Sequence, residues 1–328
     1  MKIAVFGATG LLGHHTARAI KAAGHELILI HRPSSRIQRL AYLGAETRAA
    51  EILDVSQMTK AMRDVDGVVF CAGYYPSKPR RWQDDVSNAL NQTNHFYAAC
   101  VAAKVARIVY VGAAIALPKH PEGKLGHEGL FYEGMPNWRN PYLLCKWALD
   151  EQAREQARNG LPVMIGIPGM SIGEFDVGPS TGRIITAIAS GQMSRYVPGA
   201  RNVIDAAEAG RGLLRVLEKG RQGERYLLTG ENIQLAELTA QIASLLGKPA
   251  PTPVSLKVVK GLAVIGRMRY RLTGQQPLLN DTSIAVMSGG QFLDGSKARE
   301  ELGFVSEQSL DDTLRRTISW FRDNGYIQ

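Results

Sequence analysis

Cysteine is scarce, and its spacing excludes the common metal and disulfide frameworks. The chain of 328 residues has 3 cysteines, Cys71, Cys100 and Cys145, with no C-x-x-C pair and no histidine at metal-ligand spacing. Isolated cysteines of this kind are typical of reduced thiols in a cytoplasm. We therefore expect a cytoplasmic protein without a metal site.

Long apolar runs are also lacking. No stretch approaches the roughly 18 uninterrupted apolar residues that a membrane-spanning helix needs, and even Leu256 to Ile265 contains Lys257 and Lys260. Residues 1–13 form a short apolar run followed by glycines, without the small-residue cleavage site of a signal peptide. Neither a transmembrane segment nor a secretion signal is expected.

Long runs of like charge are absent as well, although the chain is basic. The net charge is +9, but lysines and arginines are scattered, and the densest groups, at 78–81 and 267–271, are short. Scattered cations favour a solvated surface over a specific anion-binding patch. With 45% apolar and 21% charged residues, the composition is that of a folded globular protein. We expect neither nucleic acid nor a membrane as a partner.

The first half of the sequence alternates short β-branched runs with longer helical patterns. This alternation predicts an α/β fold, a Rossmann-type doubly wound parallel sheet. After Pro168 helical patterns dominate, so we expect a sheet domain over residues 1–168, interleaved with a smaller, mainly helical C-terminal lobe over residues 169–328. The expected strands are Ile3–Phe6, Glu26–Ile30, Glu46–Ala49, Val68–Cys71, Ile108–Val111 and Val163–Ile167, and the clearest C-terminal helices are Asp205–Glu218, Leu235–Leu246 and Leu310–Asp323.

A long loop separates the fifth strand from the following helix. Residues Leu117 to Asn140 are rich in proline, glycine, histidine and aromatic residues. Loops of this length inside a compact domain tend to be lids or binding loops. A variable surface insertion is the alternative.

Three glycines follow the first strand. In KIAVFGATGLLG, Gly7, Gly10 and Gly13 stand between an apolar strand and the start of an amphipathic helix. Without a Cβ the backbone can approach a pyrophosphate, whose charge the amides of Leu11 and Leu12 and the helix dipole stabilise. The pattern predicts an NAD(P) site in the sheet domain; a merely tight turn is the alternative.

The end of the second strand lacks the acidic residue that NAD sites use. Arg32 follows the strand, with Ser34, Ser35 and Arg36 close behind. A carboxylate would accept from the ribose 2′-hydroxyl and repel a 2′-phosphate, whereas a guanidinium offers a fork to that phosphate. The segment favours NADP, with NAD possible if Arg32 is only a solvated side chain.

A tyrosine and a lysine stand four residues apart in the helical pattern that begins at Pro141. Tyr142 and Lys146 then lie on one face, one turn apart. A free phenol, with a pKa of ~10, is a poor acid or base at neutral pH, but a neighbouring ammonium and the positive ring of a cofactor can lower that pKa. The pair predicts a hydride-transfer centre; chance spacing on an amphipathic helix is the alternative.

Together these motifs resemble the extended short-chain dehydrogenases and reductases of the NAD-dependent epimerase/dehydratase family, above all its branch of nucleoside-diphosphate-sugar epimerases and dihydroflavonol-4-reductase-like proteins. The resemblance spans nearly the whole chain and is carried by GATGLLG, YLLCK, PGMSIGEFDVGP, NVIDAAEAGRG, RLTGQQPLL, KAREELGF and TISWFRDNGY. It implies Tyr142 and Lys146 as catalytic residues. With the residues already singled out, the expected cofactor contacts are Gly7, Thr9, Gly10, Leu11, Leu12, Gly13, Arg32, Ser35, Glu51, Ile52, Ala72, Gly73, Tyr142, Lys146 and Pro168.

One feature of that family is missing. The family has a serine or threonine after the fifth strand, in a stretch like V-Y-x-S-S, where its hydroxyl binds the reacting oxygen, but this chain reads VYVGAA over residues 109–114. Losing one such donor costs about 10² to 10³ in rate. His120, His127 and Tyr132 on the long loop are candidate replacements, or else plain loop residues.

The segment where the resemblance implies substrate contacts carries several arginines. Arg183 and Arg201, with Arg195 between them and Tyr132 on the loop, are candidate substrate residues. An arginine fork suits the diphosphate of a sugar nucleotide. Exposure on a helical lobe explains the arginines equally well.

Three functions stay open. The first is an epimerase that acts on a nucleoside-diphosphate sugar with Tyr142 as acid/base, the second is an NADPH-dependent ketone or aldehyde reductase, and the third is a non-catalytic NADP-binding sensor. Arg32 leans towards the reductase, the resemblance towards the epimerase, and the missing hydroxyl towards the sensor. The expected partner is a small molecule, either a sugar nucleotide or a small carbonyl compound.

The resemblance also implies a homodimer. It would pair the helix near residues 87–103 with the helix at residues 141–158. Phe96, Ala99, Leu144 and Ala148 are the apolar residues available for such a seam. Packing of these residues on the sheet is the alternative.

Overall fold

The computed structural model describes residues 1–76, 80–137, 140–273 and 289–328, without the side chains of residues 267 and 271–273. Both basic groups lie partly outside these described backbones and side chains, and so does the RLTGQQPLL motif, of which only the backbone of residues 271–273 is described. The strands are β1 (Lys2–Phe6), β2 (Glu26–His31), β3 (Glu46–Ala49), β4 (Gly67–Phe70), β5 (Arg107–Val111), β6 (Val163–Pro168), β7 (Met170–Ile172), β8 (Arg195–Tyr196), β9 (Ala200–Asp205), β10 (Arg225–Leu228), β11 (Glu231–Gln234) and β12 (Thr252–Pro253). The helices are α1 (Leu11–Ala22), α2 (Val55–Ala61), α3 (Trp82–Ala102), α4 (Pro141–Arg158), α5 (Arg183–Ala189), α6 (Ala206–Lys219), α7 (Leu235–Leu246), α8 (Leu256–Thr273), α9 (Ser296–Leu302) and α10 (Leu310–Asp323), with 3₁₀ turns at Ile37–Leu43 and Ala114–Ala116.

Seven strands form one parallel sheet in the order β3-β2-β1-β4-β5-β6-β10. Its central strands are mostly apolar because helices cover both faces of the sheet, and β4 and β6 are buried at every residue. One apolar core lies on each face. The Rossmann-type fold that the alternation predicts is confirmed.

The six predicted strands agree with the structure to within one residue at each end, but the seventh, β10, is absent from the prediction. It has only four residues and begins with an arginine, so it gives little apolar signal. The helix before it, α6, packs across α1 and begins at Asp205, whose side chain accepts from the amides of Ala207 and Glu208. The sheet domain therefore takes α6 and β10 from the second half of the chain, so that the two parts are interleaved.

Helix α9 packs on the seven-stranded sheet through Ala298 and Leu302, and most of the other C-terminal elements form a smaller lobe around the three-stranded sheet β11-β9-β7. Helices α5, α7 and α10 pack on it through a third apolar core that includes Ile185, Leu238 and Phe321. Helix α8 is attached separately, through Val259 and Ala263. Over the ranges given above, no helix is long and apolar enough to cross a membrane.

Helices α3 and α4 lie side by side on one face of the sheet. Phe96, Ala99 and Leu144 are completely buried within this single chain, and Ala148 is nearly so. These side chains fill the chain's own core, so a dimer seam made of them is wrong and the alternative, packing on the sheet, holds.

Candidate active site

The carboxyl ends of β1 and β4 meet at a crevice that follows from the strand order. The order of the strands reverses between these two neighbours, so the connections that leave them diverge and open a cleft at that edge of the sheet. The segments that follow the two strands lie in close contact. A Cβ atom added at Gly7 would be only 2.9 Å from the backbone nitrogen of Ala72. Dinucleotides bind at such switch points.

The turn between β1 and α1 has the geometry that a pyrophosphate requires. Gly7 has a φ of +78°, which side chains with a Cβ rarely adopt. A Cβ on Gly13 would overlap the carbonyl oxygen of Gly7, so α1 packs this closely only with glycine there. Gly10 caps α1 without a side-chain hydrogen bond, which leaves the amides of the first turn available to an anion. These residues fit a bound dinucleotide.

Replacing Gly13 with alanine is expected to weaken dinucleotide binding at least ~10-fold and to lower the melting temperature, because the new methyl group would displace α1 from the turn. Titration followed by nucleotide fluorescence and thermal melting measure the two effects. Gly261→Ala, within α8, is the control, since nothing lies within 4 Å of its added methyl group. An unchanged dinucleotide affinity in Gly13→Ala would contradict the site.

The segments after β2 and β3 lie next to each other at the same edge of the sheet, because the two strands are paired. The amide of Ser35 donates to the carbonyl oxygen of Arg32 at 2.9 Å, which forms a turn with the Arg32 side chain exposed. Residues 31–36 contain no carboxylate. Ile52 packs against the core, while the neighbouring Glu51 is exposed. The structure thus brings the residues expected around the adenosine to one place.

Asn140 and Pro141 start the helix that carries the Tyr142 and Lys146 pair. The side chain of Asn140 accepts from the amide of Tyr142 at 2.9 Å, and proline suits the first helical position. The Lys146 Nζ lies 5.7 Å from the centroid of the Tyr142 ring. A Cβ on Gly73 would lie 3.1 Å from the same Nζ. The pair therefore faces the segment after β4, at the crevice.

Both groups of this pair are shifted towards their neutral forms in the chain itself. Burial, followed by the phenol of Tyr75, raises the pKa of Tyr142 above its ordinary value. Burial lowers the pKa of Lys146, and Cys145 opposes that shift. A neutral phenol can donate a proton, so these surroundings favour the acid form of Tyr142.

Tyr75 is a site residue that the sequence analysis missed. Its ring centroid lies 5.3 Å from that of Tyr142, with the two ring planes inclined by 56°. The preceding Tyr74 donates a 2.6 Å hydrogen bond to the buried Asp85, which anchors this segment to α3. The positive charge of Arg183 acts on the pKa of Tyr75, against the rise that burial causes. Tyr75 and Tyr142 therefore lie side by side, and Arg183 is close enough for its charge to act on Tyr75.

The position after β5, where the family has a hydroxyl, is crowded. The Gly112 amide donates to the carbonyl oxygen of Gly166 at 2.8 Å. A Cβ at Gly112 would lie 3.0 Å from Ile167 Cγ1 and 3.2 Å from Ile165 Cγ2, which is tighter than ordinary van der Waals contact. Ala113 follows and leads into the 3₁₀ turn that packs on α4.

The two histidines considered as replacements for that hydroxyl form hydrogen bonds within their own loop. The Nδ1 of His120 accepts from the amide of Glu122 at 3.2 Å, and the Nδ1 of His127 accepts from the amide of Gly129 at 3.1 Å. Both are turn residues, which agrees with the alternative reading of the sequence. The third candidate, Tyr132, lines a cavity instead.

That cavity, of about 310 Å³, lies beside the first turn of α4. Most of its wall is apolar, with Ile115, Leu117, Leu143 and Leu256 contributing side chains, and two lysines complete it. The full lining is Ile115, Leu117, Lys119, Tyr132, Leu143, Leu256, Lys260 and Gly289. The cavity joins the sheet edge, the long loop and α8.

The three arginines of the C-terminal lobe have different surroundings. Arg183 is exposed on α5, near Tyr75. Arg195 is exposed on β8, and Arg201 is buried in β9, where its Nη1 donates to the carbonyl oxygen of Ala200 at 2.7 Å. Burial lowers the pKa of Arg201 to about 10. Arg183 is thus the arginine that the structure brings to the cleft.

A larger cavity, of about 570 Å³, lies elsewhere, at the last turns of α4 and the start of β10. Arg154 on its wall is about 18 Å along α4 from Tyr142, at 1.5 Å per residue. Three of the cavity's four lysines and arginines have partners: Arg154 and buried Arg225 both pair with Asp150, and Lys297 pairs with Glu224. Arg225 also donates to the long loop at Leu130, so this cavity is part of the loop's attachment.

The comparisons with known proteins agree with this geometry. A sequence profile of the NAD dependent epimerase/dehydratase family matches residues 3–229. The crystal structure of a nucleoside-diphosphate-sugar epimerase from Pseudomonas aeruginosa superposes with a TM-score of 0.89 at 61% identity, covering 100% of this chain and 99% of that one. A putative dihydroflavonol 4-reductase from Synechocystis sp. is 27% identical, covering 99% of this chain and 95% of that protein. Sterol demethylase protein B from Methylococcus capsulatus is 27% identical, covering 100% of both.

Fold, glycine turn and crevice define a dinucleotide-binding α/β protein. Because the family profile covers more than half of its length, the chain belongs to the NAD dependent epimerase/dehydratase family. The resemblance drawn from the motifs is confirmed, and the chain is an NAD(P)-dependent oxidoreductase of this family. The described ranges hold no group of three or more His, Cys, Asp or Glu residues that could bind a metal ion.

Proposed function

We propose that this chain is an NADP-dependent oxidoreductase that interconverts a secondary alcohol and a ketone on a largely apolar substrate. The supporting observation is the close approach of Tyr142, Lys146 and the segment after β4 at the switch point of the sheet. A bound nicotinamide supplies or accepts the hydride. The chain's own residues must then bind the dinucleotide and move one proton at the substrate oxygen.

Tyr142 is the proton donor in the direction of reduction. Its raised pKa keeps the phenol neutral, so the proton is available when hydride transfer makes the substrate oxygen basic. Lys146 supplies positive charge 5.7 Å from the ring and can donate to ribose hydroxyls. Gly7, Gly10 and Gly13 hold the pyrophosphate, with Thr9, Leu11 and Leu12 beside it. Ala72, Gly73 and Pro168 follow at the carboxyl ends of β4 and β6.

Tyr75 supplies the hydroxyl that the family takes from a serine or threonine. Its ring contacts that of Tyr142, and 57% of the residue is exposed and therefore accessible to a substrate. A donor there can bind the reacting oxygen opposite Tyr142 while keeping its own proton. In this arrangement Tyr75 replaces the hydroxyl that is missing from the VYVGAA stretch, and the site remains catalytic.

An apolar substrate follows from the cavity beside Leu143. Four of its eight lining residues are aliphatic, and the lysines Lys119 and Lys260 provide a charged rim. The relative that covers the whole chain and is named for a sterol supports this choice. Tyr132, whose pKa burial raises, adds an aromatic wall.

A nucleotide-sugar epimerase is the second candidate. Exposed Arg183 lies near Tyr75, and a guanidinium there can bind a diphosphate in fork geometry. The name of the 61% identical structure favours the same reaction. In that case the cofactor would stay bound through oxidation and re-reduction.

One experiment separates the two candidates. The purified protein is denatured and the released nucleotide identified; then NADPH consumption is followed with apolar ketones, and isomer exchange with nucleoside-diphosphate sugars. Free exchange of NADP with reduction of apolar ketones supports the first candidate. A tightly held nucleotide with sugar isomerisation and no net NADPH consumption would replace it with the second.

Replacing Arg32 with glutamate is expected to shift the preference from NADP towards NAD at least ~10-fold, because a carboxylate repels the 2′-phosphate that the guanidinium binds. The ratio of the two dissociation constants measures the shift. Arg39→Glu makes the same charge change on the exposed face of the following 3₁₀ turn and serves as the control. An unchanged ratio in Arg32→Glu would show that Arg32 is a solvated side chain.

A cytoplasmic location and a homodimer are also part of the proposal. Cys71, Cys100 and Cys145 are all free thiols, which suits a reducing compartment. The dimer cannot rest on the buried residues of α3 and α4, so its interface would use their outward faces.

A further inference from the structure

Helix α8 differs from every other long helix described here in how little of it the chain covers. Its inner side contacts the lobe through Val259 and Ala263, which pack with Val197. Five other apolar residues of the helix face outwards and are between 40 and 63% exposed: Val258, Leu262, Val264, Ile265 and Met268. A continuous apolar surface of this kind on one helix marks an interaction site.

The charge around this surface has one sign. Residues 238–280 contain no aspartate or glutamate. The same stretch contains lysines and arginines, most of them on α8 itself: Lys248, Lys257, Lys260, Arg267, Arg269 and Arg271. An outward apolar face in a segment that contains cations and no acidic residue complements a surface that is apolar below and negatively charged at its rim.

The position of α8 beside a cavity also favours a binding role for its exposed face. Leu256 and Lys260 of α8 also line the 310 Å³ cavity beside Leu143. The helix therefore forms part of the cavity wall on one side and the exposed apolar face on the other.

We propose that α8 docks this protein on the surface of a membrane that contains anionic lipids. Val258, Leu262, Ile265 and Met268 enter the headgroup boundary, and the cations around them contact the lipid phosphates. A surface contact differs from a membrane span, and it revises the expectation, drawn from scattered charges, that no membrane is a partner. The supply of an apolar substrate through α8 rests on the proposed function, whereas lipid binding itself does not.

Vesicle sedimentation tests the docking without any turnover. The full chain is mixed with vesicles of phosphatidylcholine, with or without phosphatidylglycerol, at low and high salt. We expect the protein to sediment with the anionic vesicles and to be released by salt, because the lipid charge is screened. Leu262→Asp and Ile265→Asp should each weaken this binding at least ~10-fold, since each puts a negative charge into the apolar face.

Val305→Asp is the matched control, because Val305 is 52% exposed and Leu262 53% exposed. It makes the same kind of change away from α8 and should sediment like the parent chain. Melting curves and NADP affinity check that all variants fold, so a failure of docking is distinguishable from a failure of the proposed reaction. Absence of anionic-vesicle binding, or undiminished binding by Leu262→Asp, would overturn the proposal. So would a sedimentation mass of two chains that Leu262→Asp alone reduces to one, because a second copy would then cover the face.

Discussion

Tyr142→Phe is expected to lower the turnover number by about 10² to 10⁴ while leaving NADP affinity within about twofold of the parent value. The substitution removes the proton that the substrate oxygen must receive and preserves the ring that packs on Tyr75. Steady-state NADPH oxidation measures turnover, and nucleotide titration measures affinity. The loss should appear in the turnover number rather than in the Michaelis constant, because the phenol acts in the transition state.

Tyr42→Phe is the control for this substitution. Tyr42 is 59% exposed on the 3₁₀ turn at residues 37–43, where its hydroxyl contacts His14. Loss of that hydroxyl should leave turnover unchanged. A protein whose turnover survives Tyr142→Phe would use another acid, and a protein with no turnover in either form but intact NADP binding would be the sensor considered from the sequence.

The raised pKa of Tyr142 also fixes the direction of the pH dependence. Around neutral pH the phenol is almost entirely protonated, so the rate of reduction should change little between about pH 6 and 8. Oxidation needs the deprotonated form and should rise about tenfold per pH unit as long as the pH is below that pKa. In Tyr142→Phe both profiles should lose this asymmetry.

The sequence was sufficient for the parts of the site that depend on local chemistry. Gly7 needs its positive φ, Gly13 lets α1 pack on the carbonyl of Gly7, and Asn140 starts α4 through a hydrogen bond from the amide two residues ahead. Strand boundaries followed from apolar runs because both faces of the sheet are covered. Each of these inferences uses interactions between residues that are close in the chain.

Features that depend on contacts between residues far apart in the chain could not be predicted from the sequence. Strand β10 begins with Arg225, whose charge is buried only because Asp150 of α4 pairs with it. Phe96 and Leu144 have the pattern of an interface as well as that of a core, and only their complete burial decides for the core. The contact of Tyr75 with Tyr142 arises from the crossing of two segments that no local pattern links.

Tyr75→Phe is expected to lower the turnover number by about 10² to 10³, the usual effect of removing one donor to the reacting oxygen. The ring is retained, so the contact with Tyr142 and the NADP affinity should persist. Turnover with NADPH, nucleotide titration and thermal melting measure these quantities. A loss of melting temperature in parallel with turnover would assign Tyr75 a packing role instead.

A hydroxyl returned to the family's own position gives the decisive comparison. Ala113→Ser in the Tyr75→Phe background should recover at least ~10-fold of the lost turnover, because a serine there occupies the second hydroxyl position of the V-Y-x-S-S stretch. Gly112→Ser should not, since its Cβ would press on Ile165 and Ile167. If Tyr75→Phe has the turnover of the parent while Tyr142→Phe does not, Tyr142 is still the proton donor, but a group other than Tyr75 donates the second hydrogen bond to the reacting oxygen. If Ala113→Ser restores turnover in the Tyr75→Phe background and Gly112→Ser does not, Tyr75 supplies from another segment the hydroxyl that the family takes from the position after β5.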